Sequence, residues 1–274
     1  MSIVAEPTPR GTVIKEIRTR AVDWIPALVV FVLAIVAWQL IIDAFHIQKF
    51  LLPKPGAIVR AFWDQRSSLW SAGWLTLKEA LGGFVIGSGL GILFAVALAR
   101  FRRVSNALMP IAIAANAIPI IAFSPIFNAW FDPLSPSPRM ATAGILCFFP
   151  VFVNTLRGLT SVRPAQVELM RSYAAGELAI FRRVRVPTAL PFVFSALKVA
   201  TVLAMIGAIV ADYFGTFGSL GITIKNSVSL FDFETAWAAI LMASILGVAM
   251  YVAVSIAERL ALQWDPTRQE RGSG

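Results

Sequence analysis

Six runs of apolar residues, near positions 24–43, 75–99, 107–130, 139–158, 190–213 and 235–262, dominate this chain of 274 residues. Each is long enough to cross a hydrocarbon core, which takes ~20 helical residues. A soluble fold has nowhere to hide that much apolar surface. Charged residues make up 14% of the chain, against ~25% in soluble domains, and the mean hydropathy is +0.75. The prediction is an all-α fold, a polytopic membrane helix bundle of about six transmembrane helices occupying residues 22–264. The tails, 1–21 and 265–274, are polar. The third run is the least regular, because Pro110, Pro119 and Pro125 interrupt it. A broken helix is tolerated inside a bundle but not against lipid. The run from Trp24 to Ile42 is long, and no small-residue cleavage site follows it. It is therefore expected as the first membrane helix rather than a cleaved signal.

The net charge is +9 and the isoelectric point about 10.4. The basic residues lie between apolar runs rather than on one solvated face, which points to membrane topology and away from nucleic acid. With the N-terminus inside, 16 of the 24 Lys and Arg fall on inner segments and seven on outer ones, with Lys198 inside the fifth span. Both termini are then cytoplasmic. One cysteine, Cys147, and one histidine, His46, leave no disulfide framework, metal cluster or usual imidazole catalysis.

Two non-spanning segments carry further information. The outer one, 46–74, opens with Leu52-Pro53-Lys54-Pro55-Gly56 and continues with Ile58, Val59, Phe62, Trp63, Leu69, Trp70 and Trp74 among polar residues. That pattern predicts an amphipathic helix at the membrane interface, anchored by tryptophans. The inner one, 159–188, is long for a connection in a compact bundle. Pro164 suits a first helical turn. Val167, Met170, Ala174, Leu178 and Phe181 then recur at helical spacing, opposite Glu168, Arg171, Glu177 and Arg182. This predicts one amphipathic helix across the cytoplasmic face, with Pro187 and Pro191 marking the turn into the fifth span.

Within the spans, Gly83, Gly87, Gly91, Ala95 and Ala99 form a stripe of small residues, the signature of close helix packing. Lys198 and Asp212 flank the deep part of the fifth span. Charges at that depth face a cavity or a partner. Lys198 either shapes a translocation path or snorkels to the inner surface, and Asp212 is expected at the outer mouth. Asn116, Ser124, Asn128 and Asn154 either line an aqueous route or bond between helices. Phe123, Phe127 and Trp130 nearby either pack or stack on a flat solute. No G-x-x-x-x-G-K-[ST] phosphate loop occurs, so ATP use by that route falls to a partner.

The stretch Glu168-Leu-Met-Arg-Ser-Tyr-Ala174-Ala175-Gly176, followed by Phe181-Arg-Arg-Val184-Arg-Val186-Pro187, resembles the EAA loop of permeases in bacterial ABC importers. The family pattern is Glu-Ala-Ala, three residues, Gly, nine residues, then Ile-x-Leu-Pro. Glu168, Val184, Val186 and Pro187 are in register. Leu169 and Met170 replace the alanines, and Ala174 stands where the family has glycine. Leu52-Pro53-Lys54-Pro55, Asn116 to Phe131, Pro187-Thr-Ala-Leu-Pro191, Leu197-Lys198-Val-Ala200 and Gly218-Ser-Leu-Gly221 are similar to permeases of the nitrate, sulfonate and taurine type, with Asp212 replacing a usual Glu. The resemblance covers about residues 35–265.

The resemblance implies a type I importer permease in the bacterial cytoplasmic (inner) membrane. Such permeases work in pairs, here expected to be identical copies, with two ATP-binding cassette subunits that bind ATP and Mg, and with an extracytoplasmic solute-binding protein. No cofactor is expected on this chain, and it is not itself an enzyme. Glu168, Arg171, Ala174, Ala175, Gly176, Phe181 and Pro187 are implied to form the ATPase-coupling helix. Asn116, Phe123, Asn128, Asn154, Lys198 and Asp212 are the expected translocation-path residues. The stretches 147–159 and 197–210 look most like permeases for thiamine-precursor pyrimidines or riboflavin, which implies a flat heteroaromatic nutrient. Taurine, alkanesulfonate or nitrate are the alternatives. An ion-coupled secondary carrier would place acids deep in several spans, and little beyond Asp212 stands out there.

Overall fold

The computed structural model describes residues 9–115, 118–132, 134–214 and 218–262. Helices appear in the order α1 Pro9–Ala44, α2 Pro55–Asp64, α3 Arg66–Ala99, α4 Arg102–Ala115, α5 Ser124–Trp130, α6 Ser137–Thr160, α7 Pro164–Ser172, α8 Glu177–Ile180, α9 Val186–Asp212, α10 Leu220–Ser229 and α11 Phe233–Ala261. A 3-10 turn, Ile120–Phe123, precedes α5, and a π turn, Phe181–Arg185, joins α8 to α9. No strand occurs among the described residues. Lipid offers no partner for an unpaired backbone, so each crossing must close its own hydrogen bonds.

Five described helices are long and apolar enough to span a membrane: Ile25–Ala44 of α1, α3, α6, the α8–α9 continuum and α11. The predicted third span is not one helix. Its segment divides into α4, the 3-10 turn and α5, with Pro110 inside α4 and Pro125 in the first turn of α5. The chain nevertheless crosses there. Gly83 lies against Ala143, and Gly91 against Phe148 and Val151, so α3 and α6 run in the same direction. Two parallel neighbours joined in sequence require a return between them, and α4 to α5 supply it. By contrast, Gly207 meets Ala143 and Gly158 meets Ala189, so α9 runs antiparallel to α6.

The core is the α3–α6–α9 triplet, and small residues make it. A side chain at Gly87 would run into the Gly144 backbone, and one at Gly83 would come within 2.5 Å of the Ala143 Cβ. The predicted packing stripe is therefore a backbone-to-backbone crossing with α6. Ala80, Ala95, Ala143, Ala196, Ala200, Ala204 and Ala208 fill the remaining space. Apolar side chains gain nothing by leaving lipid for protein, so close approach and dispersion hold such helices together. Helix α11 covers α3 and α9 through Met242, Leu246 and Met250. Helix α1 stands apart. Ile42 is its one buried side chain among those described, and Trp38 meets Trp237 of α11 with ring centres 5.3 Å apart.

Three sequence-based boundaries shift. Helix α1 begins by Pro9, well before the predicted start of the span and inside the segment expected as a tail. The interfacial helix is only α2, because Leu69, Trp70 and Trp74 already belong to α3. Trp63, Trp70 and Trp74 remain about half exposed or more, as interfacial anchors should be. Pro187 and Pro191 do not mark a turn. They lie inside a helix continuous from Glu177 to Asp212. Pro187 has no N–H for the Arg183 carbonyl, and the local helix widens to a π turn there.

Candidate functional site

Residues 161–185 project from one end of the bundle, where α6 ends and α9 begins. The predicted single amphipathic helix is two helices here, because α7 stops at Ser172. Its end is a Schellman motif: the Ala175 N–H donates to the Met170 carbonyl at 3.1 Å and the Ala174 N–H to the Arg171 carbonyl at 2.9 Å. Ala174 sits at the left-handed position of that motif, with φ of +54°. This is the position where the EAA pattern has glycine, and the departure places an alanine in a backbone conformation costing L-residues about 1–2 kcal/mol.

The rest of the projection is a small lever. No residue of α7 is buried. Leu169, Tyr173 and Leu178 expose 58%, 77% and 69% of their surface. Glu168 and Arg171 are also exposed. Across the turn, Arg171 Nη2 donates to Glu177 Oε1 at 2.8 Å, and Arg185 approaches Glu177 Oε2 at 3.9 Å. Ala175 is half-buried and Gly176 caps α8 in extended backbone. Phe181 faces the other way. It packs on the cluster of Phe152, Leu156 and Ala189, and so roots the lever in the bundle. Pro187 helps line a groove of about 410 Å³ between α7 and the start of α9.

The expected path residues are not gathered in one place. Asn116 lies outside the described residues. Asn128 and Asn154 each donate to a carbonyl one turn back on their own helix, Ser124 and Pro150, at 3.0 and 2.8 Å. Phe123 stacks on Phe127 with ring centres 6.1 Å apart. Phe127 and Trp130 then line an apolar cavity of about 530 Å³ with Gly87, Met140, Gly144 and Phe148. Lys198 is partly buried, with 23% of its side chain exposed. Its Nζ lies 2.9 Å from Glu258 Oε2, tying α9 to α11.

Asp212 closes the last turn of α9. It is fully buried at the end of the bundle opposite the lever, beside Glu79 of α3 and Arg139 of α6. Arg139 Nε lies 3.2 Å from Glu79 Oε1 and 3.3 Å from Asp212 Oδ1. Thr76 Oγ1 donates to Asp212 Oδ2 at 3.1 Å and accepts from the Leu220 N–H at 3.0 Å. The Gly221 N–H reaches Asp212 Oδ2 at 3.4 Å, so this carboxylate also caps α10. Neither Glu79 nor Glu258 was singled out from the sequence, although both lie inside apolar runs. The usable signal was there: an acid within a span requires a partner.

Residues 87–262 match the family described as binding-protein-dependent transport system inner membrane component. The chain belongs to that family. This inner membrane component is 34% identical to the formylaminopyrimidine transport permease protein ThiX of Halalkalibacterium halodurans, across 85% of this chain and 93% of the relative. It is 30% identical to the riboflavin transport system permease protein RibX of Chloroflexus aurantiacus, across 89% and 92%. It is 28% identical to the putative aliphatic sulfonates transport permease protein SsuC of Escherichia coli, across 93% and 96%. Its fold is similar to a chain of the MetNI methionine ABC transporter in an inward-facing conformation, with a TM-score of 0.51 at 20% identity over 72% of this chain and 96% of that one. The inner membrane component is thus an ABC importer permease subunit with a type I importer-like bundle, a transport subunit rather than an ATPase. The matched region begins inside α3, after Glu79, and takes in Arg139, the lever, Asp212, the Lys198–Glu258 pair and α11.

Proposed function

We propose that this permease forms the translocation path for a flat heteroaromatic nutrient of the pyrimidine or riboflavin type, and that the 164–185 lever receives mechanical work from a partner ATPase. One observation carries the second part: a helix with no buried residue of its own holds exposed Leu169 and Tyr173 away from the bundle. An apolar, mixed-charge helix of that kind supports docking into a partner groove. The working assembly in this reading has two identical permeases, two ATPase subunits binding ATP and Mg, and an extracytoplasmic binding protein. The bias of Lys and Arg supports a cytoplasmic lever and cytoplasmic termini. Arg171, Glu177, Ala174 and Gly176 fix the shape of the lever, Glu168 lies on its exposed face, and Phe181 and Pro187 couple it to α9.

The test of docking is Glu168→Lys combined with Phe181→Ala. Loss of ATPase co-purification and of transport is expected, while retention of both removes the proposal. The heteroaromatic preference rests on the pyrimidine and riboflavin permeases among the relatives, at 34% and 30% identity, against 28% for the sulfonate permease. Uptake by the reconstituted complex of labelled aminopyrimidine, riboflavin and taurine discriminates the readings. Uptake of taurine alone favours the sulfonate alternative.

A further inference from the structure

We propose that Glu79 and Asp212 share a single proton, which makes the Glu79–Arg139–Asp212 cluster a neutral pin between α3, α6 and α9. The three side chains are 1%, 3% and 0% exposed. One guanidinium faces two carboxyl groups, so without a further positive charge the cluster carries −1 in a buried site. A buried charge of that kind is tolerated only when balanced.

Counting donors and acceptors leads to the same place. Arg139 Nε bears one hydrogen, yet Glu79 Oε1 and Asp212 Oδ1 both lie on it, at 3.2 and 3.3 Å. Arg139 Nη1 donates to the Ser135 carbonyl at 2.6 Å. Asp212 Oδ2 is occupied by Thr76 and Gly221. Glu79 Oε2 and Asp212 Oδ1 are buried without a hydrogen-bond partner. A proton taken from solvent onto Glu79 Oε2 forms one O–H bond. It converts an orphan acceptor into a donor aimed at the Asp212 carboxylate and cancels the excess charge. Asp212 keeps the negative charge because Thr76 and the Gly221 N–H donate to it and the Arg139 guanidinium lies 3.3 Å away.

A metal ion is the poorer occupant. It would sit against the guanidinium, and among the described residues no three His, Cys, Asp or Glu gather to hold one. Several charged groups on these and neighbouring helices have partners of their own. Lys225 of α10 donates to the Tyr213 carbonyl at 3.0 Å. Lys78 of α3 lies 5.4 Å from the Trp74 ring centre. Asp232, at the start of α11, caps Thr235. Lys198 and Glu258 pair with each other, 14 residues along α9 from Asp212, about 21 Å away.

Infrared spectroscopy of the purified permease complex in lipid nanodiscs at neutral pH tests the idea. Wild type is expected to show the carbonyl stretch of a protonated carboxylic acid that resists deuterium exchange. Glu79→Gln, a neutral isostere, should abolish that band and leave the melting temperature unchanged, whereas Glu79→Ala lowers it. Asp212→Asn should also abolish the band, because Glu79 then ionises against Arg139. Absence of an exchange-resistant band in wild type overturns the proposal and needs no variant to fold. So does a band that survives both substitutions, a Glu79→Gln melt as low as that of Glu79→Ala, or melting that follows sodium concentration instead of pH.

Discussion

Single residues set the cost of two features. Ala174 holds a left-handed conformation that glycine adopts freely. Ala174→Gly is expected to stabilise the α7–α8 turn by roughly 0.5–1 kcal/mol after the entropy of glycine is subtracted. Slower hydrogen exchange of the Tyr173–Ala175 amides is the readout. Lys198 and Glu258 are partly buried, with side chains 23% and 11% exposed. Lys198→Met, which deprives Glu258 of this ammonium, should cost about 1–3 kcal/mol after allowance for that exposure. Adding Glu258→Met should restore most of it, read as the melting temperature in detergent. These residues also mark where reading the sequence stops. An alanine gives no local sign that its backbone will turn left-handed. Glu79 and Arg139 are 60 positions apart, and only the fold brings them to the same carboxylate of Asp212.

At the scale of elements, the spans were legible because lipid imposes a length and a composition that no other fold class shares. The stripe from Gly83 to Ala99 was legible for the same reason, its period of four being a property of the helix itself. A matched pair of substitutions tests how closely α3 and α6 approach. Gly87→Val has no room, since the Gly144 backbone fills the space, and it should abolish recovery of folded protein. Gly89→Ala meets nothing within 4 Å and should gain roughly 0.5–1 kcal/mol of helix stability. Equal behaviour of the two in thermal melts would contradict the crossing. Less legible was the joint between lever and span. Pro187 and Pro191 read as a stop by local rules. Packing of Phe181 on Phe152, Leu156 and Ala189, together with the π turn, lets the helix continue through them.

For the whole molecule, the contrast is between a tightly crossed triplet and a first helix that barely touches it. Deleting residues 1–44 should therefore leave the melting of the remaining bundle nearly unchanged, as followed by the loss of helical circular dichroism. A large drop would mean that α1 is integral to the fold. Five of the expected crossings were legible from hydropathy as single helices, but the form of the third run was not, because Pro119 permits either a kink or a full break. The shared direction of α3 and α6 has a consequence for biogenesis. The return crossing between them has no uninterrupted ladder of hydrogen bonds and cannot settle in lipid alone. It is expected to enter the bilayer together with α6, so that the order of synthesis shapes the finished architecture.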